Sequence, residues 1–225
     1  MKVHDELQKA CNKEKAKFLA HYFKTGKGEY AEGDKFIGIT VPVARVIAKK
    51  YRDLPLRDVE ELLHSKFHEY RLTAIIILTY KKCTEEIVDL YLRNTKYINN
   101  WDLVDLSSHE ILGTFLLDKP RNILYKLAKS KNIWERRIAV ISTFAFLKHN
   151  DVSDSLKLAK LLQNDTHDLM HKAVGWMLRE VGKRNEHALV DYLSTRYKTM
   201  PCTMLRYAIE KFDEQRRRAY LSAKI

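Results

Sequence analysis

The chain has 225 residues, 45 % of them hydrophobic, enough for one sizeable core or a short array of stacked repeats. Its 41 Lys and Arg outnumber 29 Asp and Glu, and the +12 formal charge points to an anionic partner, nucleic acid before a membrane surface. The longest apolar run, Ala74 to Leu78, is far too short to span a bilayer, and Met1 to Phe23 is charged with no apolar stretch of the signal-peptide kind. Cys11, Cys83 and Cys202 are widely spaced and suggest no disulfide frame, so a cytoplasmic protein is expected, nucleoid-associated in a prokaryote.

Only 7 Gly and 4 Pro interrupt the chain, which argues for helices throughout. About a dozen of ordinary length are predicted. The most irregular segment is the loop from Thr25 to Gly38. Pro55, Pro120 and Pro201 stand just before apolar-periodic stretches, where proline suits a first helical turn. His64 and His68 are spaced i, i+4 without the Glu of a zinc-protease motif, and read as helix-surface histidines. Ile75-Ile76-Ile77 could be a buried strand taken alone. Its neighbours favour helix, because the segments recur. Small residues at 74, 108, 139, 173 and 208 (Ala74, Ser108, Ala139, Ala173, Ala208) are separated by 34, 31, 34 and 35 residues. Each lets two helices approach closely. A period of this size predicts an all-α fold, a curved solenoid of HEAT-like antiparallel helix pairs, as one domain over residues 1–225. The second helix of each pair then lines the concave side with Arg71, Arg136, Arg137, Lys172, Arg179 and Arg206, a curved basic face that suits a duplex.

Phosphate-loop, dinucleotide and nucleophile-elbow motifs are absent. What remains is a set of aromatic and charged residues. Trp101 and Asp105 share a helix face, Arg137 lies on a later helix and Trp176 on the one after. A carboxylate on a phosphate-seeking surface needs a reason, such as chemistry on something that becomes positively charged. Trp134 opens an apolar helix and is assigned to the core.

Four segments carry a family resemblance: Asn99-Asn100-Trp101-Asp102-Leu103-Val104-Asp105, Trp134-Glu135-Arg136-Arg137-Ile138-Ala139, Lys172 through Lys183, and Met204 through Glu210. With Phe36, Gly38, Pro42, Arg45 and His68-Glu69-Tyr70-Arg71, they resemble the DNA alkylation repair enzymes of the AlkD type, in order and over nearly the whole chain. The resemblance implies a HEAT-like-repeat DNA glycosylase acting on N3- and N7-alkylated purines such as 3-methyladenine and 7-methylguanine in double-stranded DNA. It places the active-site Trp, Asp, Arg and second Trp on Trp101, Asp105, Arg137 and Trp176. The cations expected at phosphates are Arg45, Arg71, Arg136, Lys172, Arg179 and Arg206. The pattern departs at Cys202, where a basic residue is expected after Pro201, at one phosphate contact.

An alkylated purine is a cation and leaves as a neutral base, so Asp105 need only stabilise the oxocarbenium-like sugar and orient a water. No metal or organic cofactor is implied. No lysine shares the Asp105 face to form a Schiff base, which implies a monofunctional enzyme, expected as a monomer. No wedge residue stands out, which favours attack on the lesion from the backbone side with limited base flipping. The competing reading is a non-catalytic helical-repeat scaffold binding nucleic acid or an acidic protein.

Overall fold

The computed structural model describes residues 2–222. Among them the fold is all-α, and the only β-type pairing is an isolated bridge between Lys35 and Phe67. The contacts divide the chain into two compact units, Met1–Ser107 and Ser108–Ile225.

The first unit holds α1 (Lys2–Lys9), α2 (Lys13–Tyr22), α3 (Val41–Lys50), α4 (Leu56–Leu63), α5 (His68–Tyr80), α6 (Glu85–Arg93), a 3₁₀ turn (Thr95–Tyr97) and α7 (Trp101–Ser107). Its axis is α5, buried continuously from His68 to Leu78 and packed against α3, α4 and α7. Burial all round explains why Ile75-Ile76-Ile77 reads like a strand yet forms a helix: there is no polar face to show a helical period. Pro55 is the N-cap residue of α4, and the loop between α2 and α3 has no helix, as the sequence predicts.

The second unit begins with a π-helical turn (His109–Gly113). It continues with α8 (Asn122–Leu127), α9 (Ile133–Ser142), α10 (Phe144–Lys148), α11 (Ser153–Leu162), α12 (Asp168–Arg184), α13 (Glu186–Ser194), α14 (Cys202–Ala208) and α15 (Glu214–Leu221). Here α12 is central, packed on α9, α10, α11, α13 and α14.

The recurrent small residues Ala74, Ser108, Ala139, Ala173 and Ala208 are all buried. A close approach in the second unit falls two residues beyond Ala173, where a Cβ on Gly175 would stand 2.6 Å from the Met204 carbonyl oxygen of α14. A second recurrence marks the helix starts. The Ser65 hydroxyl accepts the Phe67 N–H (3.1 Å), and Arg71 returns to the Ser65 carbonyl (2.9 Å). Ser130 accepts the Asn132 N–H (3.0 Å), and Arg136 returns to the Ser130 carbonyl (3.0 Å). Asp165 accepts the His167 N–H (3.0 Å), and His171 returns to the Asp165 carbonyl (2.5 Å). In each case a side chain caps two residues on, and the residue six positions on closes the turn. The third copy is displaced by one residue from the small-residue register, because Ala173 follows His171 by two positions where Ala74 follows Arg71 by three.

Candidate functional site

In the first unit the start of α7 is held from several sides. The buried Asn100 accepts the Trp101 N–H at 2.8 Å, and Asn99 donates to Asp34 at 3.0 Å. The Asp102 carboxylate accepts the Leu103 N–H (2.9 Å) and, through its other oxygen, meets His68 Nε2 at 2.8 Å. Trp101 is half-buried; its indole N–H donates to the Tyr30 hydroxyl at 3.2 Å. Its ring stacks on Phe23, with centroids 5.2 Å apart and planes 26° apart, and meets the edge of Tyr22. Phe23 in turn stacks on Phe36 (5.2 Å) and lies 5.1 Å from the His68 ring. An apolar cavity of about 290 Å³ opens among these rings, with His68, Glu69 and Asp102 on its lining.

Asp105 is half-buried, one turn beyond Trp101 on the same helix. Burial pushes the neighbouring Tyr91 phenol up; its hydrogen bond with Ser107 (2.9 Å) opposes this, and the Asp105 charge adds to the rise. The α7 helix thus presents an aromatic face and a carboxylate from one rigid segment.

His68 corrects the expectation of a surface histidine: it is 1 % exposed. It lies between Asp102 and Asp34, whose carboxylate is 3.6 Å from Nδ1. Burial opposes charge on the imidazole and Arg71 adds to that opposition, yet the two carboxylates prevail and hold its pKa up to about 9. Arg71 is likewise internal, 3 % exposed, and donates to Asp34 at 2.7 Å. It does not reach a phosphate-facing surface, because the loop between α2 and α3 supplies a buried carboxylate that draws it inward. Glu69, also buried, accepts the Ile37, Gly38 and Ile39 N–H groups at 3.0, 2.8 and 3.2 Å and fixes the end of that loop. Arg45 is exposed on α3.

In the second unit Arg137 lies on α9 and Trp176 on α12, two helices in contact. Arg137 is 5 % exposed and donates to the Leu169 carbonyl. Trp176 is half-buried with its ring 6.0 Å from Phe144. Phe144 also meets the edge of His109 at 5.3 Å, and Lys148 and Arg184 lie over its ring at 5.3 and 5.6 Å. Arg136 grips Asp165 through two nitrogens (2.6 and 3.4 Å) and is a tie between segments. Lys172 pairs with Asp168 at 2.6 Å and Arg179 with Glu210, both near the surface. Arg206 is exposed, as is Cys202 at the first turn of α14. Trp134 is core, as expected.

Sequence reasoning missed His68, Asp102, Asp34, Tyr30, Phe23 and Phe144. A signal existed for some: five aromatic residues fall between Phe18 and Phe36, a density with no use in a solvated loop. Among the described residues, no three His, Cys, Asp or Glu side chains gather as a metal site would require. No described helix is long and apolar enough to cross a membrane.

The family described as DNA alkylation repair enzyme matches residues 3–212. A solved structure described as "Predicted DNA alkylation repair enzyme from Enterococcus faecalis" is similar with a TM-score of 0.75 at 19 % identity, covering 91 % of this chain and 97 % of that one. At that identity the likeness concerns the fold. No curated protein matches the chain. The family match spans nearly every helix described above, so the chain belongs to the DNA alkylation repair enzyme family.

Proposed function

We propose that the protein is a monofunctional DNA glycosylase. It hydrolyses the N-glycosidic bond of cationic N3- and N7-alkylpurines in duplex DNA, as one functional domain over residues 1–225. The observation that carries this reading is the α7 segment: a half-exposed carboxylate, Asp105, one turn from a tryptophan whose ring is fixed by Phe23 and Tyr30. On a chain of net charge +12, such a carboxylate repels phosphate and is disfavoured unless it faces positive charge.

The chemistry fits that demand. The alkylated base departs neutral, and positive charge develops on the deoxyribose. Asp105 faces that charge and orients the attacking water. One carboxylate–cation pair at about 4 Å and an effective dielectric near 20 is worth about 4 kcal/mol, roughly three decades in rate. Trp101 and Trp176 offer ring faces to a cation, about 0.5–2 kcal/mol each. Arg137, bonded to the Leu169 carbonyl and 5 % exposed, steadies the backbone beside the lesion only by turning its guanidinium outward when DNA binds.

Lys172, the lysine nearest in sequence to Trp176 on its helix, does not suit a Schiff-base role. Its hydrogen bond to Asp168 raises its pKa, whereas an amine nucleophile needs a lowered one. Water as nucleophile leaves an abasic site with the strand intact.

For duplex binding, Arg45, Lys172, Arg179 and Arg206 are the phosphate contacts in this reading. The pairs of Lys172 and Arg179 lie near the surface, where such pairs are weak enough to exchange for phosphate. The test is release of free base from methylated duplex. Asp105→Asn should lower the single-turnover rate about a thousandfold while keeping duplex affinity. Wild-type release by this variant would leave a DNA-binding scaffold as the reading.

A further inference from the structure

The α2 helix buries none of its ten residues. Phe18 is 66 % exposed and Tyr22 53 %, one turn apart, and their rings lie parallel with centroids 6.1 Å apart and planes 16° apart. Lys15 stands one turn before Phe18 on the same face, with Lys13 and Lys17 exposed beside it. Each ring leaves more than half its surface in water, although Tyr22 also meets Phe23 and Trp101, and covering that remainder is favourable.

The helix is nonetheless firmly anchored. Asn12 caps its first turn through the Lys15 N–H (2.9 Å) and donates its own N–H to the Ile37 carbonyl (2.9 Å). Gly38, at φ +88°, lies so close to α2 that a Cβ there would collide with the Asn12 carbonyl. The aromatic pair is therefore presented on a fixed support.

A flat apolar face next to a lysine matches one kind of group, a planar ring attached to an anion. A nucleotide is both. Within a paired duplex, the faces of the bases are covered by their neighbours, and only a base out of the stack can offer one. We propose that the Phe18–Tyr22 face of α2 binds an unpaired nucleobase of DNA by stacking, with Lys15 on the adjoining phosphate. Charge favours this occupant over the others. A second copy of the chain would bring Lys13, Lys15 and Lys17 together against only one carboxylate of the same helix, Glu14, and a membrane would need an apolar face wider than two rings.

The proposal rests on DNA as the partner and goes beyond base release, which is read separately. The experiment measures equilibrium binding of the full chain to three duplexes: fully paired, with one bulged nucleotide, and with the same bulge lacking its base. Wild type should prefer the bulge with a base to the base-less bulge by roughly 5- to 100-fold. Phe18→Ala should abolish that preference and Phe18→Trp should keep it, with affinity for the paired duplex within about twofold in both. Lys15→Ala should weaken binding to both bulges alike. Base release from methylated duplex, measured alongside, keeps failure here distinct from failure of the glycosylase reading. The proposal is overturned if wild type does not distinguish the two bulges, or if Phe18→Ala still does. It is equally overturned if sedimentation shows a dimer that Phe18→Ala dissociates with the base preference intact.

Discussion

Arg71 in the first unit and Arg136 in the second do the same local job in different surroundings. Both return to the carbonyl of a capping serine six residues earlier, and both take a carboxylate from another segment, Asp34 and Asp165. Asp165 is as buried as Asp34, but Arg136 remains partly wet, its side chain at 18 % exposure. Around Arg71 the same tie has grown into a dry network, in which Asp34 also holds Asn99 and faces His68, and His68 holds Asp102. That network ends at the first turn of α7, beside Trp101. A repeat element that merely joins helices in one unit is, in the other, the footing of the candidate site.

The sharpest way to break this comparison is to remove the two carboxylates. Asp34→Ala strands the buried Arg71 cation, takes one of its two carboxylates from His68, and should cost about 3–5 kcal/mol of stability. Asp165→Ala exposes its partner to water and should cost about 1–2 kcal/mol. Denaturant midpoints give both values; equal losses would mean that the two ties are alike.

Acidity separates the units by sign. The folded pKa of His68, about 9, lies above the ordinary value near 6.5. Its contribution is therefore full below pH 6.5 and disappears as pH rises through about 9, a loss of about 3 kcal/mol at most. In the second unit, burial first of all lowers the pKa values of His109 and His167. Their contribution is present above the ordinary histidine range and fades as pH falls through it. Midpoints measured from pH 5 to 10 should decline at both ends, and His68→Gln should flatten only the alkaline side.

The smallest effect is on salt dependence. Arg206→Ala and Arg45→Ala should each shrink the slope of log K against log[salt] for duplex binding by about one unit. Arg71→Lys should leave the slope unchanged, because its cation never faces solvent. A change there equal to that of Arg206→Ala would place Arg71 on the binding surface after all.

Much of the fold was legible because it is written in local chemistry. Buried small residues recur at helical-repeat spacing, and Pro55 and Pro201 open helices where a missing N–H costs nothing. The α7 face was legible too, since Trp101 and Asp105 are four residues apart. The supports were not. His68 and Asp102 are 34 residues apart, and nothing in either's neighbourhood names the other. Arg71 and Arg206 look equivalent as letters; only the buried Asp34 separates them, and burial of a loop residue leaves no periodic trace. Phe18 drew no reading from the sequence, since no periodic signal marks an aromatic that faces water.

The bond between Tyr30 and Trp101 spans 71 residues of chain, and that between Asp34 and Asn99 spans 65. Neighbouring helices can find each other over short loops, but these bonds must wait until the long segment between them is ordered. Loop-closure entropy therefore predicts helix pairs before the Trp101 platform, to be checked by φ-values near zero at Tyr30 and Asn99. A chain caught half-made, or partly opened later, would still carry its positive charge and still cling to DNA. It would lack the fixed aromatic face beside Asp105 on which the proposed base release depends.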